Sequence, residues 1–325
     1  MYTSGIDNVT WLQHAWQNRL QSLFLLAVMA GFLALLGWLL WGRDGVVILV
    51  STGLAAMLLN SSISPRLVML LYGASPVRPD QAPALWKALT LLSERAELPA
   101  VPQLYYVPSQ MLNAFAVGTR KHAAIAVTDG LVRQLDMREL VGVVAHEISH
   151  VRNNDLWVMG LADMFSRTTS ILSLIGQFLL FLNLPLILLS QVTVNWFAIF
   201  LLIFAPNLSA LAQLALARTR EFDADLNAAR LTGDPDGLAS ALVKIERAQG
   251  GWLERIFMPN RRVPVPSLLR THPETEERVR RLMELKPELQ SAEILLAGEP
   301  DFDRYAVFGK PVSRPPRRHI GGLWH

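Results

Sequence analysis

Thr168 to Ala217 reads TTSILSLIGQFLLFLNLPLILLSQVTVNWFAIFLLIFAPNLSALAQLALA, fifty residues without one Asp, Glu, Lys or Arg. As a single helix it would extend about 75 Å, more than twice the roughly 30 Å hydrocarbon core of a bilayer. The polar and turn-prone residues gather in its middle, at Asn183–Pro185 and Ser190–Asn195. The stretch is therefore expected to cross a membrane twice, as a helical hairpin. Pro185 and Pro206 should bend or interrupt it, which a membrane helix tolerates where neighbours satisfy the freed carbonyls.

A second uncharged run lies upstream, Leu20 to Gly42 (LQSLFLLAVMAGFLALLGWLLWG). It is long enough to span and longer than the apolar region of a signal peptide. Gly42-Arg43-Asp44-Gly45 then makes a turn, and Val46 to Ser62 forms a shorter apolar segment, read as a second span; an interfacial or buried helix is its alternative. Composition agrees. Of 325 residues, 51% are hydrophobic and only 18% charged, and the mean hydropathy is +0.29, too apolar for an ordinary soluble domain. The net charge of +3 forms no basic stripe, so nucleic acid is not an expected partner. With no cysteine, disulfides and thiolate metal sites are excluded.

Arg66, Arg78, Arg152, Arg167, Arg218 and Arg220 flank the spans on one side, against Arg43 on the other. The positive-inside rule then places both termini and the charged segments in the cytoplasm. Those charged segments have soluble character. Gln81–Leu98 carries Leu85, Leu89 and Leu92 at helical spacing. Gln103–Val107, Ala114–Val117 and Ala123–Val127 are short β-like runs, and Gly118–Lys121 between the last two predicts a hairpin in a small antiparallel sheet. Asp136 and Glu139 have capping-box spacing and open a helix through Leu140, Val144, Ile148 and Val151.

That helix carries VVAHEISHVR, residues 143–152, with the pattern H-E-x-x-H. Four apart on a helix, His146 and His150 share a face and can reach one Zn²⁺, with Glu147 placed as general base. Zinc would lower the pKa of a bound water to about 7 and polarise a scissile carbonyl. The bland alternative is a surface helix with two solvated histidines. A catalytic zinc takes three protein ligands, and without cysteine the third must be His, Asp or Glu. His14, His122, His319 and His325 are weak candidates. Glu221, in RTREFDAD (residues 218–225), is stronger, because two crossings return the chain to the side on which His150 left it. Asp225, one turn later, can orient a ligand histidine. A solvated helix face with arginine partners is the alternative for both.

The chain resembles the HtpX-type membrane zinc endopeptidases, a bacterial branch of the family that includes the CAAX prenyl endopeptidases. The resemblance runs from about Pro102 to Leu282, through PQLYYVPSQMLNAFAVG, VTDGLV, AHEISHVRNND, TREFDADLNAARLTG and THPETEERV. It implies His146, His150 and Glu221 as ligands of one zinc, Glu147 as base and Asp225 as a residue behind the ligands. It also implies that Asn113, Ala114 and Phe115 lead into an edge strand that binds extended substrate; a strand that simply packs is the alternative. His272 resembles a histidine near the active-site mouth that bonds the oxyanion or blocks the metal; a histidine packed at a helix start is equally open. The Pro273-Glu274 that follows departs from the family's frequent double proline. Arg278 is a candidate for orienting groups at the cleft, or a surface charge. The segment before the first span is longer than expected for the family, and the Pro/Arg-rich tail has no family counterpart.

The expected architecture is mainly α: four transmembrane helices in two hairpins and an α+β, zincin-like (gluzincin) domain. Residues 1–64 would hold the first hairpin, 65–167 the first part of the catalytic domain, 168–217 the second hairpin, 218–290 the second part, and 291–325 a tail. The expected function is cleavage of membrane or misfolded polypeptides at the cytoplasmic face of a bacterial inner membrane, in quality control or stress response. A membrane scaffold or chaperone-like protein with a structural metal is the alternative. It leaves Glu147 without a purpose, because a structural site needs no base.

Overall fold

The computed structural model describes residues 8–60, 64–189, 196–248 and 275–285. The chain is mainly helical and divides into two units. One comprises residues 1–18, 63–156 and 220–325; the other comprises 19–62 and 157–219. The division at 219/220 falls close to the end of the uncharged stretch, whereas the one at 156/157 precedes its start, so the charged residues Asp163 and Arg167 belong to the second unit.

The second unit is built from the greater parts of three helices. α1 (Asn8–Asn60) is broken at Trp41 and Gly42, where the backbone leaves helical angles. Beyond the break the chain folds back, because a side chain on Gly45 would lie 2.2 Å from the Gly37 carbonyl oxygen. α6 (Asp155–Leu189) and α7 (Trp196–Thr232) supply the rest. Both helices continue through their prolines, Pro185 and Pro206; the expected turn at 190–195 lies outside the described residues. Leu33, Leu36, Leu172, Leu201, Leu202 and Ala205 form an apolar seam, and Ser173 donates from Oγ to the Leu202 carbonyl at 2.5 Å. Leu174, Phe178, Phe181 and Phe200 point outward, as a lipid-facing surface requires. Among the described residues, three helical stretches are long and apolar enough to cross a membrane: Trp11–Leu49, Asp155–Leu184 and Ile199–Thr232.

The first unit holds a four-stranded sheet of β1 (Ser75–Pro76), β2 (Gln103–Val107), β3 (Ala114–Thr119) and β4 (His122–Thr128), in the order β1-β2-β4-β3. The expected β3–β4 hairpin is present, with Thr119 opposite His122. Gly118 makes it possible: its φ is +100°, and a Cβ there would meet the His122 carbonyl oxygen at 2.1 Å. The expectation of a purely antiparallel sheet is corrected, because β2 runs parallel to β4. The reason is topological. β4 enters between β2 and β3, so β3 is the return leg of a crossover, and the strand after a return leg runs with the one before it. β1 pairs antiparallel with β2 and was not anticipated; two residues carry no legible period.

Alternate strand residues face opposite layers. Leu104, Ala114, Ala116, Ile125 and Val127 join the main core with α3 (Pro83–Arg95), α5 (Met137–Asn153) and α8 (Pro235–Ala248). Leu85, Leu89 and Leu92 of α3 are fully buried there, each contributing about 1.5–3 kcal/mol. Val107, Ala124 and Ala126 face the other way and are covered by Met69 of α2 (Pro65–Leu71). α5 opens on the expected capping box between Asp136 and Glu139. Glu139 is tied further by Ser240 at 2.6 Å and Lys244 at 2.7 Å. α5 and α8 pack closely at Gly142, where a Cβ would come within 3.0 Å of Leu238 Cα. α4 (Asp129–Gln134) and α9 (Thr275–Glu284) complete this unit.

Candidate metal centre

α5 places His146 and His150 one turn apart, with both rings turned inward and their centroids 4.6 Å apart. α7 contributes Glu221, four residues beyond the uncharged stretch. The two Nε2 atoms lie 3.1 Å apart. His146 Nε2 is 3.5 Å from Glu221 Oε2, and His150 Nε2 is 3.5 Å from Glu221 Oε1. Ligand atoms held 2.0–2.1 Å from a tetrahedral metal stand roughly 3.3 Å from one another, so this triangle has the size such a metal needs. Among the described residues it is the His/Asp/Glu group so arranged.

The far side of each imidazole faces a carboxylate. His150 Nδ1 is 2.7 Å from Asp155 Oδ2, and His146 Nδ1 is 2.9 Å from Asp225 Oδ1. The His146 contact is close without the alignment of a full hydrogen bond. At that separation, with both groups buried, the carboxylate still decides which ring nitrogen carries the proton. In the neutral ring each Nδ1 is then the protonated nitrogen, and each Nε2 can offer a lone pair to one point shared with the Glu221 carboxylate. Three electron-pair donors aimed at one point fit a bound cation. The field points the same way. Burial opposes charge on His150, yet Asp155 and Glu221 hold its pKa well above the ordinary value. His146 is raised too, with Asp225 and Glu221 outweighing its burial.

Asp155 was not singled out from sequence. It follows α5 through Asn154, whose backbone is left-handed (φ 55°), a conformation Asn adopts more readily than most residues. That turn ends α5, and Asp155 opens α6 directly behind His150. Arg220 donates from Nε to Asp155 at 2.6 Å and lies 3.2 Å from Asp223, which accepts from Asn153 at 2.9 Å. The readable signal was NND after a ligand helix: a residue suited to end one helix, then an acid suited to begin another.

Arg278, on α9, donates to both oxygens of Asp225 through Nε and Nη2, each at 2.7 Å. Its Nη1 lies 3.4 Å from Glu221. Burial opposes its charge, but Asp225, Glu221 and Glu147 hold its pKa above the ordinary value. Both members of the Arg278–Asp225 pair have side chains only 5% exposed. Removing one partner of a buried pair leaves the other uncompensated, at about 3–5 kcal/mol. Arg278→Ala is therefore expected to lower the melting temperature of the metal-free protein markedly, with Arg278→Lys recovering part of the loss. Equal melting curves for wild type and Arg278→Ala would contradict this.

Glu147 is buried beside its ligand neighbour, 9% exposed. Asn113 uses its backbone on Thr128: its N–H donates to Thr128 Oγ1 at 3.0 Å, and its carbonyl accepts from Thr128 N at 3.0 Å. Ala114 is buried in the core, and Phe115 meets Tyr72 in a tilted ring contact with centroids 4.8 Å apart. β3 is an outer strand of the sheet, beside α5. His272 lies outside the described residues, as do the Pro/Arg-rich tail and its role.

A family model described as peptidase family M48 matches residues 79–286. This chain belongs to peptidase family M48. Among curated relatives, a protease HtpX homolog of Acaryochloris marina is 36% identical over 299 residues, covering 84% of this chain and 96% of its own. The protease HtpX homolog of Trichormus variabilis is 34% identical over 294 residues, with 84% and 98% covered. A crystal structure of S. mikatae Ste24p is matched over 86% of this chain and 67% of its own, at 19% identity and a TM-score of 0.44. Family membership and the apolar helices together make the chain a membrane metalloprotease, acting on polypeptides.

Proposed function

We propose that the protein is a zinc-dependent endopeptidase of a bacterial inner membrane, with four spans in two hairpins and both termini cytoplasmic. It cleaves membrane or misfolded polypeptides at the cytoplasmic face, in protein quality control or stress response. The ligand set of two H-E-x-x-H histidines and a downstream glutamate makes the domain gluzincin-like. The observation that carries this reading is the convergence of His146 Nε2, His150 Nε2 and the Glu221 carboxylate within 3.1–3.5 Å of one another.

His146, His150 and Glu221 would hold the zinc. When bound, it supplies Lewis acidity, polarising the scissile carbonyl and making water more acidic. Glu147 accepts the proton from attacking water and returns it to the departing amine nitrogen, so the carboxylate ends as it began. Asp225 and Asp155 face the Nδ1 side of each ring and aim both Nε2 atoms at the metal point. Arg278 keeps the Asp225 carboxylate in place. The outer edge of β3, led in by Asn113, Ala114 and Phe115, binds substrate backbone as an added strand.

Metal analysis tests the reading. Wild type purified in detergent should carry about one zinc per chain, following the usual occupancy of such sites, and His146→Ala should carry none. Wild type without bound metal after zinc reconstitution, or His146→Ala with undiminished zinc, would refute the assignment.

A further inference from the structure

α2 is a seven-residue helix, PRLVMLL, and its two faces are both apolar. Inward, Met69 is 1% exposed and covers Val107, Ala124 and Ala126 of the sheet. Tyr72, just after the helix, meets Phe115 of β3 in a tilted ring contact. At the other end, Pro65 abuts the hairpin, where a Cβ on Gly118 would lie 2.8 Å from Pro65 Cγ. α2 is thus an outer layer over the sheet, with β2–β4 beneath it and the helical core on the sheet's far face. Outward, where such a layer meets water, Leu67, Leu70 and Leu71 are 55%, 73% and 50% exposed. Spaced i, i+3 and i+4, they form one stripe. Exposed leucines scattered singly need no explanation, but a continuous stripe on a helix marks a contact surface.

We propose that α2 lies in the bilayer interface, with Leu67, Leu70 and Leu71 entering the boundary between headgroups and acyl chains. The chain supplies the reason. α1, which carries a candidate span, ends at Asn60, and α2 begins at Pro65, so four intervening residues tether α2 within about 17 Å of that helix end. Arg66 is exposed on the same short helix, where a guanidinium can reach lipid phosphate while its stem lies along the apolar boundary. Pro65, Met69 and Tyr72 then transmit that position to the β3–β4 hairpin. If β3 binds substrate, which rests on the function proposed above, its edge is held at the membrane surface, and the favoured substrates are segments just leaving the bilayer.

The absence of native cysteine makes the test direct. Single cysteines at Leu70, at Leu174 on a lipid-facing helix and at exposed Glu94 would carry nitroxide labels. The protein is reconstituted in vesicles of phosphatidylethanolamine and phosphatidylglycerol. The label at Leu70 is expected to favour oxygen over a water-soluble nickel complex, as at Leu174 and opposite to Glu94. Nickel access equal to that at Glu94 would overturn the proposal. So would exclusion of both reagents, which would mean that protein, either a second copy or another segment of this chain, covers the stripe. These readouts do not depend on catalysis, so failure of the protease reading leaves them intact. As a second arm, Leu67→Ser/Leu70→Ser/Leu71→Ser is expected to slow cleavage of a membrane-anchored substrate several-fold while leaving soluble casein cleavage unchanged. Equal loss on both substrates would speak against a membrane-positioning role.

Discussion

Glu147→Gln is expected to keep its metal and lose its protease activity. The side chain stays the same size and remains beside His146, so the three ligand positions and the carboxylates behind them are undisturbed. What disappears is the proton acceptor. A positioned general base contributes about 10²–10⁴-fold, and the amide of glutamine has no useful basicity. Cleavage of an unfolded substrate such as casein should fall by that factor in kcat, with zinc content unchanged. Two measurements on one preparation decide it. Undiminished cleavage would exclude Glu147 as the base. Cleavage and zinc lost together would show that the substitution had damaged the site instead of its chemistry. Self-cleavage during purification should also stop in this variant, as it should in wild type treated with chelator.

Asp155→Ala is expected to weaken zinc binding by about 10–100-fold, the usual consequence of losing the partner behind a ligand histidine. Asp155 bonds His150 Nδ1 at 2.7 Å and receives Arg220 at 2.6 Å. Without it, His150 is free to choose the other tautomer or turn its ring, and either change removes a lone pair from the metal point. Arg220 keeps Asp223 at 3.2 Å as its remaining partner, so the helix junction is weakened less than the ligand. Asp155→Asn should fall between wild type and Ala, keeping a hydrogen-bond acceptor without the charge. Competition against a chromophoric chelator measures the affinity. Asp163→Ala is the control: it lies on the same helix, paired with exposed Arg167 at 2.6 Å, and should change zinc affinity little. Wild-type affinity in Asp155→Ala would remove Asp155 from the site.

Local features of the chain were readable where a local rule governs them. The capping box at Asp136 and Glu139 set the start of α5, and the helical repeat of Leu85, Leu89 and Leu92 set the buried face of α3. The Gly118–Lys121 separator set the β3–β4 hairpin, which the structure tightens to a turn at Arg120 and Lys121. The closeness of His146, His150 and Glu221 was legible because an uncharged stretch long enough for two crossings was expected to return the chain to the side it left. The sheet order was not legible, since nothing in QLYYV or HAAIAVT says which strands become neighbours. Arg278 was read as a residue orienting groups at the cleft, or as a surface charge; its bidentate bond to Asp225, 53 positions away, exists only once α9 packs near α7. α2 was overlooked because seven residues are too few for a period to show.

The sequence by itself determined the elements that water and lipid sort by composition: uncharged helices, amphipathic helices, a hairpin, and a ligand pair four apart on one helix. These depend on residues within a few turns of one another, so period, charge and turn chemistry are enough. Tertiary structure decided what depends on distance across the fold. It set the parallel β2–β4 pairing, the 3.1–3.5 Å triangle of donors, and the Asp155–Arg220 and Asp225–Arg278 pairs behind it. Each of these joins groups that the chain alone leaves free to be anywhere, and a buried charge takes whichever partner the packing brings within reach.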